Sequence, residues 1–159
     1  MQPLVTIVTT YYNRAGFLKE TLRSLQLQTM TDWEAILWND GSTDNSEEIA
    51  REMAEMDSRF RIFGGERIGH AQSLVRSCAE AQGRYIGVLD SDDLLEPSAL
   101  EETAAVLESR PEIGMVYTDH VVIDGNGQRR GLGRRCQIPF SKDRMLLDFM
   151  TFHFRLIRM

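Results

Sequence analysis

Three carboxylates lie within four residues at Asp90-Ser91-Asp92-Asp93, where the apolar run Tyr85-Ile86-Gly87-Val88-Leu89 stops. Left alone they would repel one another, and burying any of them would be costly. A divalent cation removes the conflict, because Mg²⁺ and Mn²⁺ prefer hard oxygen ligands. Such ions are commonly held by one or two carboxylates and complete their shell with water and phosphate oxygens. The cluster is therefore read as a site for a metal-bound diphosphate, with Asp90, Asp92 and Asp93 as its candidate ligands. A calcium loop fits poorly, since no glycine stands at the sixth position counted from Asp90. The plain alternative is a solvated turn leading into the helix after Pro97.

The elements that would position this corner alternate along the chain. Leu4-Val5-Thr6-Ile7-Val8-Thr9 reads as a first strand. Leu18, Leu22 and Leu25 repeat at helical spacing, which predicts a helix over about 15–27. Trp33 to Trp38 is a second strand, closed by Asn39-Asp40-Gly41-Ser42. Asp44 and Glu47 form a capping pattern for a helix reaching about Met56. Arg61-Ile62-Phe63 is a third strand, and a helix over about 70–81 leads to the fourth strand at Tyr85. Pro97 suits the first turn of a further helix, with Leu100, Ala104 and Leu107 on one face. This alternation predicts an α/β fold, a mostly parallel sheet flanked by helices.

In such sheets ligands bind beyond the carboxyl ends of the strands. Three polar clusters fall there: Thr9-Thr10-Tyr11-Tyr12-Asn13-Arg14, Asn39-Asp40-Gly41-Ser42, and Asp90-Ser91-Asp92-Asp93. Far apart in sequence, they are expected to converge along one edge of the sheet.

After Pro111 the pattern changes. Residues 114–123 are rich in β-formers, and Asp124-Gly125-Asn126-Gly127 is a turn signal. Arg129, Arg130, Arg134 and Arg135 read as a mobile surface loop, or as a patch for an acidic acceptor, lipid phosphate or membrane surface. A helix is expected near 142–149, then an apolar tail. Two regions follow, 1–124 and 125–159.

Composition narrows the classes. The chain has 159 residues, of which 42% are hydrophobic and 26% charged, as in an ordinary soluble domain. A net charge of −6 argues against a nucleic-acid partner. Cys78 and Cys136 have no metal-type spacing and make no disulfide framework, which favours a reducing, cytoplasmic setting. No signal-peptide pattern opens the chain, and no stretch approaches the ~18 apolar residues of a membrane span. Membrane association would have to come from a region outside this sequence.

Taken in order and at their spacing, 5–14, 39–44 and 83–93 resemble the inverting, GT-A-fold family 2 of nucleotide-sugar-dependent glycosyltransferases, over about residues 4–124. The resemblance implies that Thr9, Tyr11 and Asp40 hold the nucleotide base, Tyr11 by stacking and Asp40 by accepting from a ring N–H. It implies that Asn13 and Ser91 help bind the nucleotide, and that Asp90 faces the ribose or a metal-bound water. Asp92 would ligate Mg or Mn with support from Asp93, and Arg67 would contact the diphosphate. The expected donor is a nucleoside-diphosphate sugar, a UDP-sugar foremost, and the expected acceptor is a hydroxyl on a carbohydrate or lipid-linked molecule.

Two departures stand out. Many relatives carry Arg-Asn in the helix before the metal strand, where Leu74-Val75 stands here. Any polar contact from that pair is missing or comes from Arg67, His70 or Gln72. Relatives also continue beyond an element like 152–158 to an acidic motif that supplies the base. The chain is thus expected to be an N-terminal portion, inactive or weakly active alone, with its base beyond residue 159. Asp119 is the one internal candidate for that role. His70, His120 and His153 read chiefly as structural, with metal ligation the sharper option for His153.

Two other readings remain at this point. A nucleotidyltransferase would carry a glycine-rich phosphate loop after the first strand, which 9–14 lacks. A non-catalytic nucleotide-sugar-binding or interaction domain would keep the fold without turnover. Apolar residues around Phe149, Phe152, Phe154 and Ile157 would, if uncovered, leave a disordered tail or drive a homodimer.

Overall fold

The computed structural model describes residues 2–138, 141 and 154–159. Among the described residues the strands are β1 (Val5–Tyr11), β2 (Trp33–Asn39), β3 (Phe60–Gly64), β4 (Tyr85–Val88), β5 (Met115–Tyr117), β6 (Val121–Ile123), β7 (Arg129–Leu132) and β8 (Arg155–Arg158). The α-helices are α1 (Leu18–Gln26), α2 (Ser46–Met56), α3 (His70–Ala79) and α4 (Ala99–Ser109). The main sheet has the order β3-β2-β1-β4-β8-β5, and β6-β7 form a separate hairpin. β1 pairs in parallel with both β2 and β4, and β2 with β3, as expected of the β-α alternation. Because β1 sits between β2 and β4, chain connections diverge to either side of it. A crevice opens at such a point.

β1 and β2 are buried on both faces, as central strands of a covered sheet must be. Val5, Ile7 and Tyr11 share one core cluster with Ala35 and Leu37 of β2, the leucines of α1, Ala50 and Met53 of α2, and Leu100 and Leu107 of α4. Alternate residues turn to the opposite face, where Thr10 hydrogen-bonds with His70 at the start of α3.

Two expectations are corrected here. The tail over Arg155–Arg158 is a strand, antiparallel to both β4 and β5 and inserted between them. Phe154 is buried, which removes its share of the argument for a disordered, self-associating tail, whereas Ile157 stays exposed. Phe154 packs so closely over Gly87 that a Cβ there would meet its ring at 2.7 Å. Arg158 fixes the far end, donating from Nη1 to Tyr85 Oη at 3.2 Å and from Nη2 to the Leu107 carbonyl. Second, Arg129 and Arg130 are not in a loop. They lie on β7, where Arg129 ion-pairs with Glu96 and Arg130 with Asp124. Arg134 begins a 3-10 turn over Arg134–Gln137. The helix expected near 142–149, Phe149, Phe152 and His153 lie outside the described residues.

The cap of α2 also differs in detail. Asp44 accepts from the Ser46 amide at 3.0 Å, but Glu47 bonds Arg51 and Asn39 instead of reaching back. Cys78 and Cys136 are free thiols. Among the described residues no helix is long and apolar enough to cross a membrane.

Candidate functional site

At the carboxyl ends of β1, β2, β3 and β4 lies a cavity of about 400 Å³. Its lining includes Tyr12 and Arg14 after β1, Asp40 after β2, Arg67 after β3, and Asp90 and Asp92 after β4. The three polar clusters therefore do converge, as the sheet topology requires.

Asp40 is the hub of one wall. Only 2% of its surface is exposed, and Oδ1 accepts from the amides of Ile68 and Gly69 at 2.8 Å each. Its Oδ2 accepts from the Arg67 guanidinium. Burial alone would raise its pKa, yet these donors outweigh burial and hold the carboxyl below the usual range. Gly41, the next residue, has φ of +73°, and a Cβ on it would meet the Arg67 backbone nitrogen at 2.7 Å. Glycine is therefore required for the β3–α3 segment to close against Asp40. Arg67 then lies over the ring of Tyr12, with its guanidinium carbon 3.6 Å from the centroid.

The two tyrosines that border the cavity differ in exposure. Tyr11 is 2% exposed, and its hydroxyl is buried without a partner. Burial, assisted by Glu47 and opposed by Arg51, pushes its phenol pKa up. Its ring belongs to the core, so it is not free to stack on a base. Thr9 shares that face and is likewise fully buried, with an unpartnered hydroxyl. Thr10, Tyr11 and Tyr12 all border the cavity, but the Tyr11 ring is turned into the core. Tyr12, at 38% exposure, is the accessible ring.

Asn13 does not line the cavity. It has φ of +52°, the left-handed region that is rare for a side-chain-bearing residue. The loop after β2 holds it there. Asn13 Oδ1 accepts from Thr43 N at 2.8 Å, and the amides of Asn13, Arg14 and Ala15 donate to Ser42 Oγ, Ser46 Oγ and Asp44 Oδ2. Residues 42–46 thus clamp 13–15 and set the exit of β1, which carries Arg14 into the cavity. Arg14 Nε stands 3.6 Å from Asp92 Oδ2.

The acidic corner forms the opposite wall. Asp90 and Asp92 are both exposed and face the same cavity. Ser91 between them is buried, and its carbonyl accepts from Thr21 Oγ1 at 3.0 Å, which anchors the turn to α1. Asp93 closes the turn through its amide to the Asp90 carbonyl at 3.1 Å and stands outside the cavity lining. Among the described residues no three His, Cys, Asp or Glu side chains form a ready-made metal cage. Two adjacent oxygen donors beside open space do fit a hard divalent ion that takes its other ligands from phosphate and water. Asp90 and Asp92 would be its protein ligands.

Asp119 is exposed in the turn between β5 and β6 and does not line the cavity. His120 packs against Gly133 and Cys136, with Nδ1 3.3 Å from Cys136 Sγ, away from the site. Leu74 and Val75 do not reach the cavity either; its polar groups on the α3 side are Arg67 and His70. Thr10, Tyr12 and Arg14 belong to the first polar cluster, but spacing alone assigns them no contact. What finds them is the convergence of the strand ends on one cavity, which requires the fold.

Comparison with known proteins identifies the family and the fold. The sequence profile described as glycosyl transferase family 2 matches residues 6–159. The chain is 35% identical over 131 residues to the O-antigen biosynthesis protein RfbC of Myxococcus xanthus, covering 80% of this chain and 10% of that protein. It is 32% identical over 154 residues to a chondroitin synthase of Pasteurella multocida, covering 97% of this chain and 16% of that one. This chain therefore spans only a small part of those curated relatives. Among solved structures, a mannosyltransferase from Pyrobaculum calidifontis in complex with GDP-Man and Mn²⁺ aligns with a TM-score of 0.64. It shares 26% identity and covers 78% of this chain and 36% of its own. S. aureus TarS 1-349 in complex with UDP-GlcNAc reaches a TM-score of 0.78 at 18% identity, covering 99% of this chain and 45% of its own, a likeness of fold. With the family profile spanning nearly its whole length and a mixed sheet of the same architecture, this chain belongs to glycosyl transferase family 2 and has the GT-A fold.

Proposed function

We propose that this domain binds a nucleoside-diphosphate sugar, a UDP-sugar foremost, and takes part in inverting transfer of the sugar to an acceptor hydroxyl with a divalent cation. The observation that carries this reading is the pairing of two unlike walls in one cavity. One has an aromatic ring and a buried carboxylate at Tyr12, Arg67 and Asp40; the other has the carboxylates Asp90 and Asp92. A base would stack on Tyr12, and Asp40 would lend its carboxylate to a ring N–H while holding the loop that carries Arg67. Asp90 and Asp92 would hold Mg²⁺ or Mn²⁺, which as a Lewis acid stabilises the departing diphosphate. Thr10 and His70, hydrogen-bonded to each other, would border the ribose and phosphates. Inversion also needs a carboxylate to take the acceptor proton, and no described residue is assigned that role. On this reading residues 1–124 carry the donor, the acceptor side starts near 125, and the domain works in the cytoplasm.

The Mn²⁺ and GDP-Man bound to the 26%-identical mannosyltransferase support both the metal and the donor class. Calorimetry with UDP and with GDP, each in Mn²⁺ and in EDTA, tests the reading. Metal-dependent binding of at least one nucleotide is expected, with the metal dependence lost in Asp92→Asn. Folded protein that binds neither nucleotide in Mn²⁺ would sink it.

A further inference from the structure

The Asp92 carboxylate that the proposed cation needs already has a partner in Arg14, whose Nε lies at 3.6 Å. Both side chains are close to half-exposed, so the contact is open to exchange with ligands. The backbone under Arg14 is anything but free. Its amide donates to Ser46 Oγ at 2.8 Å, and it follows the left-handed Asn13, which is itself bonded to Thr43. Strained backbone held from several directions is how a fold fixes the origin of a working side chain.

We propose that Arg14 is a counter-ion that changes partners. It neutralises Asp92 while the cavity lacks donor, and it moves to the donor's diphosphate when a cation takes the carboxylate. This rests on the metal-and-donor reading above.

Charge balance gives the reason. Arg67 is committed to Asp40, which leaves Asp90 and Asp92 facing Arg14, with His70 nearby. Two bare carboxylates side by side repel, and Arg14 relieves that while the cation is away. With a divalent cation and a donor both bound, the charge of the cation would offset only the two aspartates. The two negative charges of the sugar-linked diphosphate remain. Arg14 is then displaced from Asp92 and stands beside those phosphates, and a guanidinium suits phosphate oxygens well. The residue therefore opposes the cation alone and favours cation and donor together.

The test separates these two signs. Mn²⁺ binding without nucleotide is read by electron paramagnetic resonance, and UDP binding in saturating Mn²⁺ by calorimetry, for wild type, Arg14→Gln and Arg14→Lys. Arg14→Gln should bind Mn²⁺ alone about 2–5-fold more tightly, the range expected for freeing a partner of an exposed ion pair. It should bind UDP in Mn²⁺ about 10-fold or more weakly, through loss of a charge-assisted hydrogen bond. Arg14→Lys should recover most of the UDP affinity. The proposal is overturned if Arg14→Gln shifts both affinities in the same direction, if either stays at the wild-type value, or if Lys gives no recovery. Wild type that binds no nucleotide in Mn²⁺ would instead overturn the functional reading on which it depends.

Discussion

Asp40→Asn keeps the shape of the hub and removes its charge, so it measures what that charge does. Asp40 Oδ1 accepts two amides at 2.8 Å, from Ile68 and Gly69, at a site 2% exposed. A neutral hydrogen bond contributes about 1 kcal/mol net and a charge-assisted one roughly twice that. Asparagine can still accept through its carbonyl, so about 1 kcal/mol is lost per amide, or roughly 2 in all. The Arg67 pair adds less, because that side chain is 54% exposed and such pairs are worth up to about 1 kcal/mol. The total is about 2–3 kcal/mol, which for a chain of this size lowers Tm by roughly 5–10 °C.

The pH dependence follows from the direction of the shift. The folded-state pKa of Asp40 lies below its unfolded value. Its stabilisation is therefore fully present above the unfolded carboxyl pKa of about 3.9 and is lost as pH falls through the folded value. The gap between wild type and Asp40→Asn should thus be full at neutral pH and shrink below about pH 4. Thermal melts followed by the fluorescence of Trp33 and Trp38, run from neutral to acid pH, give the answer. Melting within 1 °C or so of wild type at neutral pH would mean that the carboxylate does not organise the 67–69 loop, and the estimate built on ~2 kcal/mol would be refuted.

The other expectations concern face and packing. Tyr12→Ala should weaken UDP binding in Mn²⁺ about 10-fold, as loss of a stacking platform does, and change stability little. Tyr11→Phe should leave binding intact and be neutral or slightly stabilising, since it deletes a buried hydroxyl with no partner. The reverse pattern in calorimetry and melts would restore Tyr11 as the stacking residue. Gly87→Ala should cost about 1–3 kcal/mol in urea unfolding, because its Cβ would strike Phe154. An unchanged midpoint would mean that β8 does not pack on β4 as described.

Element types and the site's neighbourhood were legible because they rest on local pattern. The leucine spacing of α1, the Asn39-Asp40-Gly41-Ser42 turn and the acidic run after β4 each occur within a dozen residues. A parallel sheet then carries every strand's carboxyl end to the same edge. Strand β8 was harder to read. Arg-Leu-Ile-Arg is too short to declare itself, and it becomes a strand by filling the gap between β4 and β5. The salt links of Arg129 and Arg14 were hidden for a similar reason, since their partners lie 33 and 78 positions further along or back in the chain.

The amino-acid order by itself determined that this is an α/β chain with an acidic, oxygen-rich corner after its fourth strand and a family 2 motif set. Only the tertiary structure decided that Thr10, not Thr9, lines the cavity, and that of Tyr11 and Tyr12, which both border it, Tyr12 has the exposed ring. The doubled residues give both parities the same letters, and a central strand covered on both sides shows no polar alternation to break the tie. The core resolves it by claiming the Tyr11 ring alongside Val5 and Ile7, which leaves Tyr12 as the accessible ring at the cavity.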